Sequence, residues 1–226
     1  MSIWLFLALA GLCTAGCVPS LPPSTRESVP VADMHKVVVM PFRMATGRFN
    51  IGTSVRCPIC GAIFIVGQIE PTAHAYMTRQ LWDYLRSKSK YSLIPPGTAE
   101  GVRSHLLSEH IGLSERNLIV EVGKKLQADG VVSGMIYSFR QRVGTPLSVD
   151  TPASVAFDIH FLRVSDGRLI WVGQFDETQH SLSENVLRFG TFVRRGGRWL
   201  TAEELVSFGL RQVMASFPGL ASRSAK

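Results

Sequence analysis

The run from Ser154 to Glu177 constrains the fold of this chain most. Within SVAFDIHFLRV, Val155, Phe157, Ile159 and Phe161 fall on one side and Ala156, Asp158 and His160 on the other. That period-2 alternation is the mark of a strand with one apolar and one polar face. Asp166-Gly167 follows and predicts a type I′ turn, which needs φ > 0 at both central positions. Leu169 to Glu177 then reads as the returning strand. Such a hairpin must bury its apolar face under another layer. On the other face His160 reads as a surface histidine, and Asp158 has no second carboxylate with which to form an acid/base pair.

The rest of the chain supplies that layer. Val37-Val38-Val39 is a β-branched run, expected for a strand buried on both faces. Residues 72–88 have helical spacing: Met77, Leu81 and Leu85 recur every four residues, Trp82 and Tyr84 widen the stripe, and Thr72 is the expected N-cap. Tyr91 to Ile94 is a short strand stopped by Pro95-Pro96. A second helix is expected from Ser114 to Ala128, ended by Asp129-Gly130, with a strand from Val131 to Arg140. Phe192 to Leu200 suggests a small hairpin turning at Gly196-Gly197. Thr201 and Glu204 form a capping box, and Val206, Leu210, Val213, Met214 and Phe217 carry the last helix to Pro218-Gly219. This order predicts an α/β (α+β) fold, a sandwich in which helices pack on a single mixed sheet, as one domain over 34–217 with a tail at 218–226.

VVVMPF as first strand, the helix leading to YSLIPP, the ADGVVSGMIYSF segment and the DGRLIWVGQF hairpin together resemble a small periplasmic domain of bacterial envelope lipoproteins. Its members include the curli-secretion channel lipoprotein, the lipoprotein activators of penicillin-binding proteins and the N-terminal domain of the Tol translocation protein. The resemblance covers roughly residues 34–217 and rests on core and turn motifs. It implies an adaptor or oligomer building block and no enzymatic activity.

The N-terminus agrees with that setting. Residues 3–13 of MSIWLFLALAGLCTAGC are almost wholly apolar, and no charged side chain precedes Arg26. The run is too short for the roughly 20 residues of a spanning helix and fits a secretory signal over 1–16. Thr14-Ala15-Gly16-Cys17 resembles a bacterial lipobox, although the signal lacks a basic start and Thr14 stands where leucine is commoner. The resemblance implies cleavage and lipidation at Cys17, and multiple acyl chains anchor stably where one does not. Val18 follows, where retention in the inner membrane usually needs Asp, so the periplasmic face of the outer membrane is expected. Residues 17–33 are rich in proline and serine and read as an extended tether. The net charge of +7 would suggest nucleic acid in a cytosolic protein. It has no block of like charges, and outside the cytosol no nucleic acid partner is expected.

Residues 43–71 make a connection far longer than the usual 2–6 residues of an α/β unit. Arg48 to Val55 and Ala62 to Val66 are β-prone arms, so a β-hairpin insertion after the first strand is expected, with Cys57-Pro58-Ile59-Cys60-Gly61 at its tip. A zinc site needs four ligands, and the other cysteines, Cys13 and Cys17, belong to the signal and lipid site. His105 and His110, spaced H-x4-H, could complete a Cys2His2 site, and two cysteines from each of two copies of the chain could instead form an inter-subunit site. Catalytic thiol pairs sit at helix N-termini, whereas strand-forming residues follow Cys60. The favoured reading is a disulfide between Cys57 and Cys60 in an oxidising compartment. Metal binding or free thiols remain open, and no other cofactor is expected.

Other motifs carry no chemistry. Ser87-Lys88-Ser89-Lys90 contains S-x-x-K without its companion triads, and G-x-S-x-G is absent. The expected function is therefore an adaptor bound to the membrane by its lipid, contacting another envelope protein or further copies of itself. The candidate partner residues are Ile63, Phe64, Ile65 and Val66 in the insertion, with Arg194 and Arg195 in the later hairpin. The alternative is a zinc-binding or thiol-redox protein using the CPIC pair.

Overall fold

The computed structural model describes residues 34–46, 49–109, 112–146, 148–179 and 198–220. The signal, Cys17, the tether, His110, Arg194, Arg195 and residues 221–226 lie outside the described residues. The first half runs β1 (Lys36–Val39), β2 (Arg43–Met44), β3 (Ser54–Arg56), β4 (Ile63–Ile65), α1 (Ala73–Lys88), β5 (Ser92–Ile94), α2 (Pro96–Glu109) and α3 (Glu115–Lys125). It continues with β6 (Gly130–Arg140), β7 (Val143–Gly144), β8 (Val149–Thr151), β9 (Ser154–Arg163), β10 (Leu169–Thr178) and α4 (Ala202–Met214).

The main sheet has the order β10-β9-β6-β1-β5 and is mixed, as the sequence predicts. β5 and β6 flank β1 in parallel, while β9 runs antiparallel to both β6 and β10. β6 outruns β1, and its far half is joined in parallel by β2. Helices cover both faces. Met77, Leu81 and Leu85 of α1, with Leu205, Val206, Leu210 and Val213 of α4, pack on Val155, Phe157, Ile159 and Phe161 of β9. Ala99 and Leu106 of α2 and Leu118, Ile119 and Val122 of α3 pack on Val38, Val131 and Leu162 on the opposite face. Each large aliphatic side chain buried this way contributes about 1.5–3 kcal/mol. Close approach of α4 to the sheet depends on Gly209, where an added Cβ would lie 2.6 Å from the Phe175 ring.

The capping box forms: Glu204 N–H donates to Thr201 Oγ1 and Thr201 N–H to Glu204 Oε2. Ser114 caps α3 by accepting from Asn117 N–H. Thr72, the expected cap of α1, makes no side-chain cap bond. Three expectations need correction. Pro95-Pro96 does not merely stop a strand but starts α2, with Pro96 at the first helical position, where its missing N–H costs nothing. α2 buries only Ala99, Arg103 and Leu106, so it has too thin an apolar stripe to be read from spacing. The β9–β10 connection is not type I′: of the Asp166-Gly167 pair only Gly167 has positive φ, +66°. Asp166 instead accepts from the Arg163 guanidinium and from Arg168 N–H. Finally, Pro218 and Gly219 belong to the domain, their carbonyls accepting from Tyr91 Oη and Lys90 N–H.

Candidate functional site

The 43–71 insertion folds back on the sheet. β3 and β4 pair antiparallel with Val55 opposite Phe64, as expected of a hairpin with CPIC at its tip. After β4 the chain is zipped along β6: Gly67 N–H donates to Tyr137 O, Phe139 N–H to Gln68 O and Glu70 N–H to Phe139 O. Gly67 permits this approach, since a Cβ there would lie 2.5 Å from Ser138 Oγ. The inner face of the hairpin carries Val55, Cys57, Ile59, Phe64 and Val66 into the core that also holds Tyr137 and Ala156. Phe64 stacks on Tyr137 with ring centroids 4.0 Å apart and planes 6° from parallel.

This cover changes the character of the polar face of β9. Asp158 and His160 are both 0 % exposed, so His160 is not a surface histidine. Residues two apart on a strand share a face, and both side chains meet the hairpin tip. Cys57 Sγ lies 3.4 Å from His160 Nε2, and Cys60 Sγ 3.8 Å from Asp158 Oδ2. His160 Nε2 is 3.3 Å from Asp158 Oδ2. The four donor atoms all fall within 4.8 Å of one another. Tyr137 Oη donates to Asp158 Oδ2 at 3.0 Å, Gln174 Nε2 lies 3.7 Å from Cys60 Sγ, and Ile59 N–H points at Cys57 Sγ from 3.4 Å.

The tip is a tight turn. Cys57 N–H donates to Ala62 O, Gly61 N–H donates to Cys57 O, and Gly61 has φ +78°. Arg56 Nη1 donates to Gly61 O at 2.9 Å, so this cation faces the turn backbone. A hydrogen bond between the sulfurs splits their acidities: together with burial it pushes the Cys57 thiol up, and it pulls Cys60 down against burial. Burial opposes the His160 imidazolium, but the Asp158 carboxylate and Cys57 outweigh it and push the group up to about 10. Burial pushes the Tyr137 hydroxyl up. Asp158 Oδ1 and His160 Nδ1 are buried with no hydrogen-bond partner.

The expected site residues therefore divide. Cys57 and Cys60 are free thiols, Cys57 buried and Cys60 partly so, and they stand between strands rather than at a helix N-terminus. His105 is not their companion; it lies exposed on α2 beside Glu109, 3.4 Å away. The residues that join the cysteines, Asp158 and His160, were visible as a D-x-H pair on one strand face, but not as neighbours of the tip. The apolar cluster divides too. Phe64 and Val66 face inward at 5 % and 0 % exposure, while Ile63 and Ile65 point outward at 62 % and 64 %. Phe49 and Ile51, in the same insertion, are also exposed. Among the described residues no helix is long and apolar enough to cross a membrane.

No protein-family model matches the sequence, and no curated protein matches it either. Among solved structures, a PelC dodecamer from Paraburkholderia phytofirmans is 14% identical, with 85% of this chain and 98% of that chain covered and a TM-score of 0.43. The LpoB C-terminal domain from Salmonella enterica is 15% identical, covering 64% of this chain and 83% of that one at a TM-score of 0.40. Lipoprotein GNA1162 from Neisseria meningitidis is 11% identical, covering 72% and 95% at a TM-score of 0.41. Likeness of this degree carries no information about what the present chain binds.

Proposed function

We propose that the chain is a non-enzymatic, lipid-anchored adaptor on the periplasmic face of the outer membrane, and that its β3–β4 hairpin is the surface offered to another envelope protein. The observation that carries this reading is the outward pair Ile63 and Ile65. The hairpin already buries its inner face against the sheet, and the two isoleucines on its outer face form an exposed apolar surface of the kind that marks an interface. Ile51, in the same insertion, is exposed as well. Arg56, directly opposite Ile63 in the pairing, is held to Gly61 O at the tip, so the partner surface is expected to be apolar. The Cys17 signal and the Pro/Ser-rich tether support the compartment and the membrane attachment. The buried cluster of Cys57, Cys60, Asp158 and His160 supports a structural rather than a catalytic role, because its four donor groups face one another.

The test is in-cell photo-cross-linking from position 63 or 65 of the full-length lipidated chain, followed by mass spectrometry. A cross-linker at Leu107, exposed on α2, is the control. The reading expects a discrete heterologous adduct from 63 and 65 and none from 107. Equal adducts from all three sites would rule the hairpin out as the docking surface. An adduct made only of two copies of this chain would replace the adaptor with self-assembly.

A further inference from the structure

We infer that Cys57, Cys60, Asp158 and His160 form a closed, tetrahedral zinc site that staples the inserted hairpin to the middle of β9. The inference is independent of the partner reading. It starts from spacing. Zinc bonds of about 2.3 Å to sulfur and about 2.0–2.1 Å to nitrogen or oxygen, in tetrahedral array, separate the ligand atoms by roughly 3.3–3.8 Å. Of the five edges that connect the hairpin to β9 or lie within β9, three measure 3.4, 3.8 and 3.3 Å, and all four atoms lie within 4.8 Å of one another. Four ligand-type atoms from two elements thus converge on the vertices of one coordination sphere.

Charge points the same way. A carboxylate fully removed from water is costly unless it is paired. Among the described residues, no Lys or Arg bonds to Asp158, and the nearest cation at the tip, Arg56, is committed to Gly61 O. A dication held by two thiolates, one carboxylate and one neutral imidazole leaves a net charge near −1, the metal taking the place of the His160 imidazolium as the counter-charge to Asp158. The Ile59 amide aimed at Cys57 Sγ and the Gln174 amide near Cys60 Sγ are donors placed to stabilise thiolates. Tyr137 Oη, donating to Asp158 Oδ2, is the outer partner that orients the carboxylate. The donor set selects the ion: two soft thiolates with imidazole and carboxylate suit zinc and exclude magnesium or calcium, which take oxygen. Four protein ligands leave no open position, so the site is structural.

Its purpose follows from the topology. The cysteines and the β9 pair are about a hundred residues apart in sequence, with separations of 103 and 98. A cross-link of such span removes a large loop entropy from the unfolded chain, and it fixes the register in which Phe64 meets Tyr137.

The test uses the full-length chain, without a histidine tag, in detergent micelles. It is reduced with a phosphine, offered Zn²⁺ or Co²⁺ and freed of excess metal. We expect one metal per chain by elemental analysis and, for cobalt, thiolate-to-metal charge transfer with intense tetrahedral d–d bands. Cys60→Ser and His160→Gln should each weaken zinc binding more than about tenfold, since the loss of outer partners alone costs roughly 10–100-fold. His105→Ala should leave binding unchanged. Should the variants fold poorly, alkylation of wild-type Cys60 decides the same question: zinc must slow it at least tenfold and a chelator must restore it. A reduced wild-type chain that holds less than a tenth of an equivalent of either metal, or shows no zinc protection of Cys60, overturns the assignment. So does zinc retained at full affinity in the Cys60→Ser/His160→Gln double variant.

Discussion

Cys57, at the tip of an inserted hairpin, meets His160, in the middle of the main sheet, with Sγ and Nε2 3.4 Å apart across 103 residues of sequence. The contact joins two segments far apart in sequence, so whatever holds the pair together also holds the hairpin down. If that agent is a metal, its removal should loosen the hairpin before the rest of the domain. Hydrogen exchange after chelation should speed up at the Cys57, Gly61 and Val66 amides, which bond only within the hairpin, while the β9–β10 ladder stays protected. Uniform exchange across the domain, with and without chelator, would contradict the staple.

The outward and inward sides of β4 should behave differently on truncation. Phe64→Ala removes the ring stacked on Tyr137 and opens a cavity in a filled core, at a cost of roughly 3–5 kcal/mol. Ile65→Ala, one residue on, removes a side chain that is 64 % exposed and should shift stability by no more than about 0.5 kcal/mol. Urea unfolding of both variants decides it. The same pair separates stability from binding, because Ile65→Ala should abolish the cross-linked adduct while leaving the fold intact.

Acid stability has an identifiable contributor at the start of the sheet. The Lys36 and His35 amides donate to the Asp129 carboxylate and hold it below the usual range. A carboxylate depressed in the folded state stabilises the fold above its unfolded pKa, about 3.9, and loses that contribution as pH falls through the folded value. Asp129→Ala should therefore be less stable than wild type near neutrality, and the two unfolding midpoints should converge below about pH 4. A constant gap from pH 7 to pH 3 would show that the carboxylate charge is not what matters there.

What could be read in the sequence and what could not follows one division. Val155, Phe157, Ile159 and Phe161 pointed to their core because alternation is a property of the strand itself, and Thr201-Glu204 announced α4 because a capping box is complete within four residues. Alternation likewise put Asp158 and His160 on one face. It could not say what lies above that face, since the cover is the insertion, roughly a hundred residues upstream in sequence, returning along β6. A polar pair under a long β-prone connection carrying C-x-x-C was the available signal. Of the H-x4-H pair, His110 lies outside the described residues, and His105 is exposed on α2 beside Glu109 rather than at the hairpin tip. Ile63 to Val66 looked like one apolar patch because residue type does not show that a strand divides such a run between its two faces.

Gly209 in α4 offers a test in which two effects of opposite sign compete. Replacing a mid-helix glycine by alanine normally stabilises by about 1 kcal/mol, through backbone entropy. Here the new methyl carbon would lie 2.6, 2.7 and 2.8 Å from three atoms of the Phe175 ring, which is itself tilted against Phe157 and Phe208. The opposing surface is equally tight, since a Cβ at Gly173 would strike Val213 of the same helix. A ring wedged among others cannot step aside cheaply, and overpacking of this kind costs about 1–3 kcal/mol. The clash should win, so Gly209→Ala is expected to lower the thermal midpoint. Phe175→Leu in the same background should recover part of the loss by withdrawing the ring edge. A Gly209→Ala chain more stable than wild type would mean that α4 stands further from β10 than these close approaches require.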